Sequence, residues 1–61
     1  MKWNLEQTKQ ALENIITDYH DGLYNEHQYK FMIKQLARDT EVSVSDFSEM
    51  LLEIMFAART L

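Results

Sequence analysis

The fold class is decided by residues 25–40, which read NEHQYKFMIKQLARDT. Apolar side chains recur there every three or four residues, so an α-helix would carry them on one face. That face consists of Tyr29, Met32, Ile33, Leu36, Ala37 and Thr40. Asn25, followed three residues later by Gln28, has the pattern of a capping box. The stretch therefore predicts an amphipathic helix that begins just after Asn25.

The segments on either side predict two more helices. Before it, Asn4 and Gln7 form a second capping-box pattern, and Gly22 predicts the helix end because glycine accepts a left-handed backbone. The apolar stripe between them is Leu5, Leu12, Ile15, Ile16 and Tyr19. After it, Ser43 and Asp46 mark the start of a third helix. Its expected core face is Met50, Leu51, Ile54, Ala57, Ala58 and Leu61.

Length and composition indicate one small domain. The chain has 61 residues, one glycine, no proline and no cysteine, and it contains no repeat or linker-like stretch. We therefore expect a single all-α domain over residues 1–61, with three helices joined by short turns. A domain of this size buries only about 60% of the surface that its unfolded chain exposes. Without disulfides, association with another subunit is the expected source of further stability.

The charge balance bears on partners and location. Ten acidic and six basic residues give a net charge of −4, so the long-range field disfavours general binding to nucleic acid or to anionic membranes. Residues 1–4 contain no apolar run of signal-peptide length, and the absence of cysteine fits a reducing compartment. We expect a cytoplasmic protein.

No set of residues predicts catalysis or a metal site. His20 and His27 lie near acidic residues, but at spacings that fit no zinc or calcium site. The serines at positions 43, 45 and 48 stand at a helix start, where serine acts as a cap. Three short helices also offer no pocket that would hold a catalytic base. We expect a protein that is not an enzyme and has no cofactor.

Residues 33–52, which read IKQLARDTEVSVSDFSEMLL, resemble the helix-turn-helix of bacterial and phage repressors. Ala37 stands where the motif places a small residue at the helix crossing, and Val42 follows the turn. Phe47, with Met50 or Leu51, falls where the second helix packs on the first. The resemblance implies a helix-turn-helix-like arrangement of the second and third helices. It also implies one functional hypothesis, a dimeric DNA-binding transcriptional regulator.

The charges on these two helices favour different partners. The helix that would read bases, residues 43–53, contains no arginine, lysine, asparagine or glutamine, and Asp46, Glu49 and Glu53 form an acidic stripe on it. The preceding helix carries a basic stripe with an aromatic residue beside it. We predict a second contact surface from Lys30, Phe31, Lys34 and Arg38. A solvated helix face, on which Glu26 supports Lys30, is the simpler explanation of the same charges.

The main predicted interface lies in residues 50–58, where apolar side chains surround the third helix. Leu51, Ile54 and Ala58 fit a core, whereas other side chains point elsewhere. The predicted protein interface is Leu52, Met55, Phe56, Met50 and Ala57. The run is shorter than the ~20 residues of a membrane span, and its polar side is acidic, unlike that of membrane-surface helices.

These observations predict a small acidic protein-binding regulator that acts by occupying a surface of a larger protein. An inhibitor, an anti-repressor or an adaptor of a bacterial or phage transcription system would fit this description. We expect it to be a homodimer through the third helix. The alternative is the DNA-binding dimer, in which Lys30, Lys34 and Arg38 contact phosphates.

Overall fold

The computed structural model describes the backbone of residues 2–60 and the side chains of residues 2–58. In this part of the chain there are three α-helices: α1 (Leu5–His20), α2 (Glu26–Asp39) and α3 (Val44–Thr60). Turns over residues 21–25 and 40–43 connect them. The predicted all-α, three-helix class is confirmed, and the order of α2, turn and α3 is compatible with a helix-turn-helix.

Local signals fix where each helix begins. In both predicted capping boxes the asparagine side chain accepts a hydrogen bond from the glutamine N–H at 2.8 Å, and the glutamine side chain accepts one from the asparagine N–H at 3.1 Å. At the start of α3 the Ser43 hydroxyl accepts a bond from the Asp46 N–H at 3.2 Å. The three predicted helix starts are therefore confirmed.

Gly22 ends α1 as predicted. Its φ of +84° is in the left-handed region that glycine adopts without a steric penalty. The Gly22 N–H donates to the carbonyl of Tyr19 at 3.0 Å, and the Leu23 N–H donates to that of Asp18 at 2.9 Å. This pair of bonds is a Schellman motif, which satisfies the last carbonyls of the helix.

The core lies where α1 packs against both α2 and α3. Leu12, Leu36 and Phe47, one from each helix, form its centre, and Ile16 is buried as well. Seven partly buried apolar residues pack around this centre: Ala11, Ile15, Ile33, Val42, Met50, Leu51 and Ile54. α2 and α3 approach each other less closely than either approaches α1, which leaves an open groove between them.

Four residues of the predicted apolar faces are exposed, one of which is Tyr19 at 36%. Leu5 is 56% exposed because Thr8, one turn further along α1, fills the core at that level. Ala37 is exposed because α2 turns its Leu36 side, about 100° away, towards α1. Ala57 is also exposed. Leu61, expected on the same face, lies outside the described residues.

The segment before α1 is joined to the α2–α3 turn by a buried polar network. The Trp3 N–H donates to the carbonyl of Asp39 at 2.8 Å, and the Glu41 N–H donates to that of Trp3 at 2.9 Å. Beneath this bridge, the hydroxyl oxygens of Thr8 and Thr40 lie 2.6 Å apart and both residues are buried. The Thr8 hydroxyl lies 2.7 Å from the carbonyl oxygen of Asn4 and the Thr40 hydroxyl lies 3.4 Å from that of Trp3, so either threonine can donate to the other.

Replacing Thr40 by valine is expected to destabilise the fold by about 1–3 kcal/mol, because the isosteric side chain leaves polar groups unpaired. The Val42 N–H, which donates to the Thr40 hydroxyl at 3.1 Å, and the Thr8 hydroxyl would each lose a partner. Urea denaturation measures the change. Thr17→Val, at an exposed position of α1, is the matched control. Equal midpoints for the two variants would show that the network adds nothing to stability.

Candidate protein interface

The exposed face of α3 carries three large apolar side chains. Leu52 is 66% exposed, Met55 40% and Phe56 70%. We call these three residues the outer strip. Another side of the same helix supplies Phe47, Leu51 and Ile54 to the core, and Leu52, Met55 and Phe56 are exposed as predicted.

The other two residues predicted for this interface lie elsewhere. Met50 is half-buried and packs against the core, so it belongs to the interior of the single chain. Ala57 is exposed but lies about 160° around α3 from Met55, at ~100° per residue. The structure thus groups Leu52, Met55 and Phe56 and separates Met50 and Ala57 from them.

The outer strip continues into the groove between α2 and α3. The apolar residues of this groove are Tyr29, Ile33, Leu51 and Met55, and Lys30 and Lys34 of α2 also line it. We call it the lysine-rimmed groove. Met55 belongs to both surfaces, so the apolar area runs from Phe56 across α3 to α2. The sequence did not indicate that the basic stripe would border an apolar groove.

Two tyrosines extend the same apolar area towards α1. The rings of Tyr19 and Tyr29 are stacked, with centroids 4.2 Å apart and planes 12° from parallel. Met55 and Ala58 line a hollow beside this pair, together with Ile16 and His20. Burial of the phenol, followed by the influence of Tyr19, raises the pKa of Tyr29 above its ordinary value of 10.0. Tyr29 therefore stays neutral at physiological pH.

The raised pKa of Tyr29 predicts a loss of stability at high pH. Because the folded chain holds this proton more tightly than the unfolded chain, the stabilisation is complete below the unfolded pKa and disappears as the pH rises through the folded pKa. As the pH rises above about 10, the usual tyrosine pKa, wild-type stability should fall more steeply than that of Tyr29→Phe. Thermal denaturation of both chains across this range measures the difference. Parallel curves would show that Tyr29 titrates alike in both states.

Charged side chains flank the outer strip on both sides. Lys30 bonds Glu26 at 3.2 Å on the exposed surface of α2, a helix pair worth about 0.3–0.5 kcal/mol. Among the residues that the structure describes, Lys30–Glu26 is the one ion pair. Lys34, Glu49 and Glu53 form no ion pair with any described residue. Glu49 and Glu53 follow Phe56 around α3 on the side away from α2.

At ~100° per residue, the four residues predicted as a second contact surface span about 100° around α2. Lys30, Phe31, Lys34 and Arg38 are all exposed, but Lys30 and Lys34 line the groove towards α3. Phe31, 59% exposed, lies with Met32 between two hollows on the other side of α2. One of these hollows is lined by Trp3, which is 44% exposed and which the sequence analysis did not select. We call Trp3, Phe31 and Met32 the aromatic surface.

Over residues 2–60, no three histidine or acidic side chains come together in a group that could hold a metal ion, and His20 and His27 are exposed. None of the helices in the same range has both the length and the apolar character needed to cross a bilayer.

Comparison of the chain with models of known protein families, with curated proteins and with solved structures gives no match. The function is therefore inferred from the chain's own surfaces.

Proposed function

We propose that this chain is a small acidic protein-binding regulator that associates with a second copy and occupies a surface of a larger protein. One observation carries the proposal. Leu52, Met55 and Phe56 are exposed on a helix of which another side already fills the core. A helix that is apolar on nearly all sides is expected to be covered on more than one side.

The energetics support a protein as the covering group. Full burial of a large apolar side chain contributes roughly 1.5–3 kcal/mol, and the outer strip offers three together. A domain of this size has little other surface with which to gain stability. The acidic residues beside the strip, Glu49 and Glu53, disfavour an anionic membrane as the cover.

The aromatic surface supports a second, separate contact. Trp3 and Phe31 are aromatic residues of the kind enriched at the centre of protein interfaces. They lie on the α1 side of α2, whereas the outer strip lies on α3. We assign self-association to the outer strip and contact with the larger protein to the aromatic surface. An inhibitor, an anti-repressor or an adaptor of transcription would need this pair of surfaces.

Affinity purification from the cells that naturally make the protein tests this assignment. The tagged chain is expected to retain a larger protein, and nuclease treatment should not release it. Phe31→Asp should abolish this retention, because it places a charge in the centre of the contact. Leu23→Asp, which changes a 66% exposed leucine in the α1–α2 turn, is the matched control. Retention that survives Phe31→Asp, or that nuclease abolishes, would contradict the assignment.

The alternative function is DNA binding as a dimer. It is favoured by the order of α2, turn and α3, with Phe47 buried against the preceding helices, and by the exposed cations Lys30, Lys34 and Arg38. However, within residues 44–58, the part of α3 whose side chains the structure describes, the exposed polar residues are serine, aspartate and glutamate. These side chains lack the amides and cations that most often read base edges.

Selection from random DNA duplexes at physiological salt is expected to recover no defined sequence. Any residual binding should fall steeply with salt and should be unspecific, because phosphate contacts alone carry no sequence information. A gel-shift selection measures this directly, and a chain with alanine at positions 30, 34 and 38 serves as the comparison. Recovery of a defined sequence that this triple variant loses would establish the DNA-binding alternative.

A further inference from the structure

The groups around α3 occur in a fixed order. Beginning at α2, the lysine-rimmed groove is lined by Leu51 and Met55. At ~100° per residue, Leu52 and Phe56 follow, and Glu49 and Glu53 come next. The outer strip therefore has unlike borders: lysines of α2 on one side and glutamates of α3 on the other.

Because of this order, the exposed face of α3 is complementary in charge to the lysine-rimmed groove of a second copy. A surface that fits the lysine-rimmed groove must offer apolar side chains flanked by carboxylates. α3 offers that combination in Leu52, Phe56, Glu49 and Glu53, all of which are exposed. Lys34, Glu49 and Glu53 have no ion-pair partner among the described residues, so they are available for contacts between chains.

We propose that two copies pair through their outer strips with the two α3 helices parallel, so that Lys30 and Lys34 of each copy face Glu49 and Glu53 of the other. The inference rests on the proposed function for the existence of the dimer, and it adds the arrangement. In a twofold dimer each contact occurs twice, so the four charged positions form two equivalent borders.

The charges decide between two twofold arrangements. When the twofold axis is parallel to the two α3 helices, the helices are parallel to each other. The lysine border of one copy then lies opposite the glutamate border of the other. When the twofold axis is perpendicular to the two α3 helices, the helices are antiparallel. Each border of one copy then lies opposite the same border of the other, which places lysines opposite lysines. Like charges placed together oppose association, whereas unlike charges favour it and fix the register. The parallel arrangement is therefore selected.

Charge reversal tests the pairing. Lys30→Glu with Lys34→Glu should raise the dissociation constant of the dimer about tenfold or more, since two borders become repulsive. Adding Glu49→Lys and Glu53→Lys should restore the wild-type constant to within about threefold at the wild-type net charge. Lys2→Glu with Lys9→Glu makes the same charge change at exposed positions outside the groove and is the matched control. Sedimentation equilibrium gives the constants, and circular dichroism checks that each variant is helical. If the variant with all four substitutions had a dissociation constant as high as that of the double lysine variant, the proposed pairing would be wrong.

A single cysteine tests the direction of the helices, since the natural chain has none. Ser48 is exposed between Met55 and Leu52 around α3. In the parallel dimer the two Ser48→Cys residues face each other and should form a disulfide, which requires Cα atoms within about 7 Å. In an antiparallel dimer centred on Met55, ~1.5 Å of rise per residue separates them by roughly 20 Å. Thr17→Cys on α1 is the control and should not link.

The outcomes separate the two proposals. A wild-type dimer in which Ser48→Cys does not link overturns the parallel arrangement and leaves the proposed self-association intact. A wild-type monomer overturns both.

Discussion

Phe56→Asp is expected to abolish self-association. Phe56 is 70% exposed in the single chain and lies within the outer strip, so the substitution leaves the core of the monomer untouched. In the dimer it would place a carboxylate in an apolar contact, twice, and beside Glu49 and Glu53. The dissociation constant should rise at least about a hundredfold, since transferring an unpaired charge from water into a packed contact costs several kcal/mol.

Size-exclusion chromatography at several concentrations measures this effect, and Phe31→Asp is its matched control. Phe31 is 59% exposed, so both substitutions exchange an exposed phenylalanine for aspartate on a helix. Phe31→Asp should leave the size of the assembly unchanged, because the aromatic surface lies on the other side of α2 from the groove. Equal effects of the two substitutions would mean that the outer strip is not the site of self-association.

Leu12→Ala is expected to destabilise the chain by about 3–5 kcal/mol, which is the upper range for truncating a fully buried leucine. Leu12 is 0% exposed and contacts the side chains of both other helices at the centre of the core. Folded domains are stable by only about 5–15 kcal/mol, and small ones fall at the lower end. The substitution should therefore leave about 2 kcal/mol of stability or less in a domain at that lower end, and a measurable unfolded population at 25 °C.

Circular dichroism during urea titration measures this loss, with Leu5→Ala as the control. Leu5 is on the same helix but is 56% exposed, so its truncation should cost less than about 1 kcal/mol. Both chains should be compared at one concentration, because association stabilises the folded state by mass action. Similar losses for the two variants would contradict the position of the core.

The sequence was sufficient for features that depend on neighbouring residues. The helix starts at Asn4, Asn25 and Ser43 could be predicted because each cap joins side chain and backbone three residues apart. The exposure of Leu52 and Phe56 could also be predicted, since a helix with a core on one face must turn its other residues outwards.

Features that depend on how the helices lie against one another could not be predicted. Thr8 and Thr40 are 32 positions apart, and no pattern around either threonine indicates that their hydroxyl groups meet. Leu5 and Ala37 match the apolar pattern of their helices but fall outside the core for the same reason. The lysine-rimmed groove likewise depends on the spacing of α2 and α3, which periodicity within one helix does not determine.

Light scattering from the wild-type chain across a concentration series tests the central claim most directly. The claim is that the outer strip of α3 is covered by a second copy of this 7.3 kDa chain. We predict that the measured mass rises with concentration and reaches a plateau at twice the chain mass. A mass that stays at that of one chain up to high micromolar concentration would contradict the account.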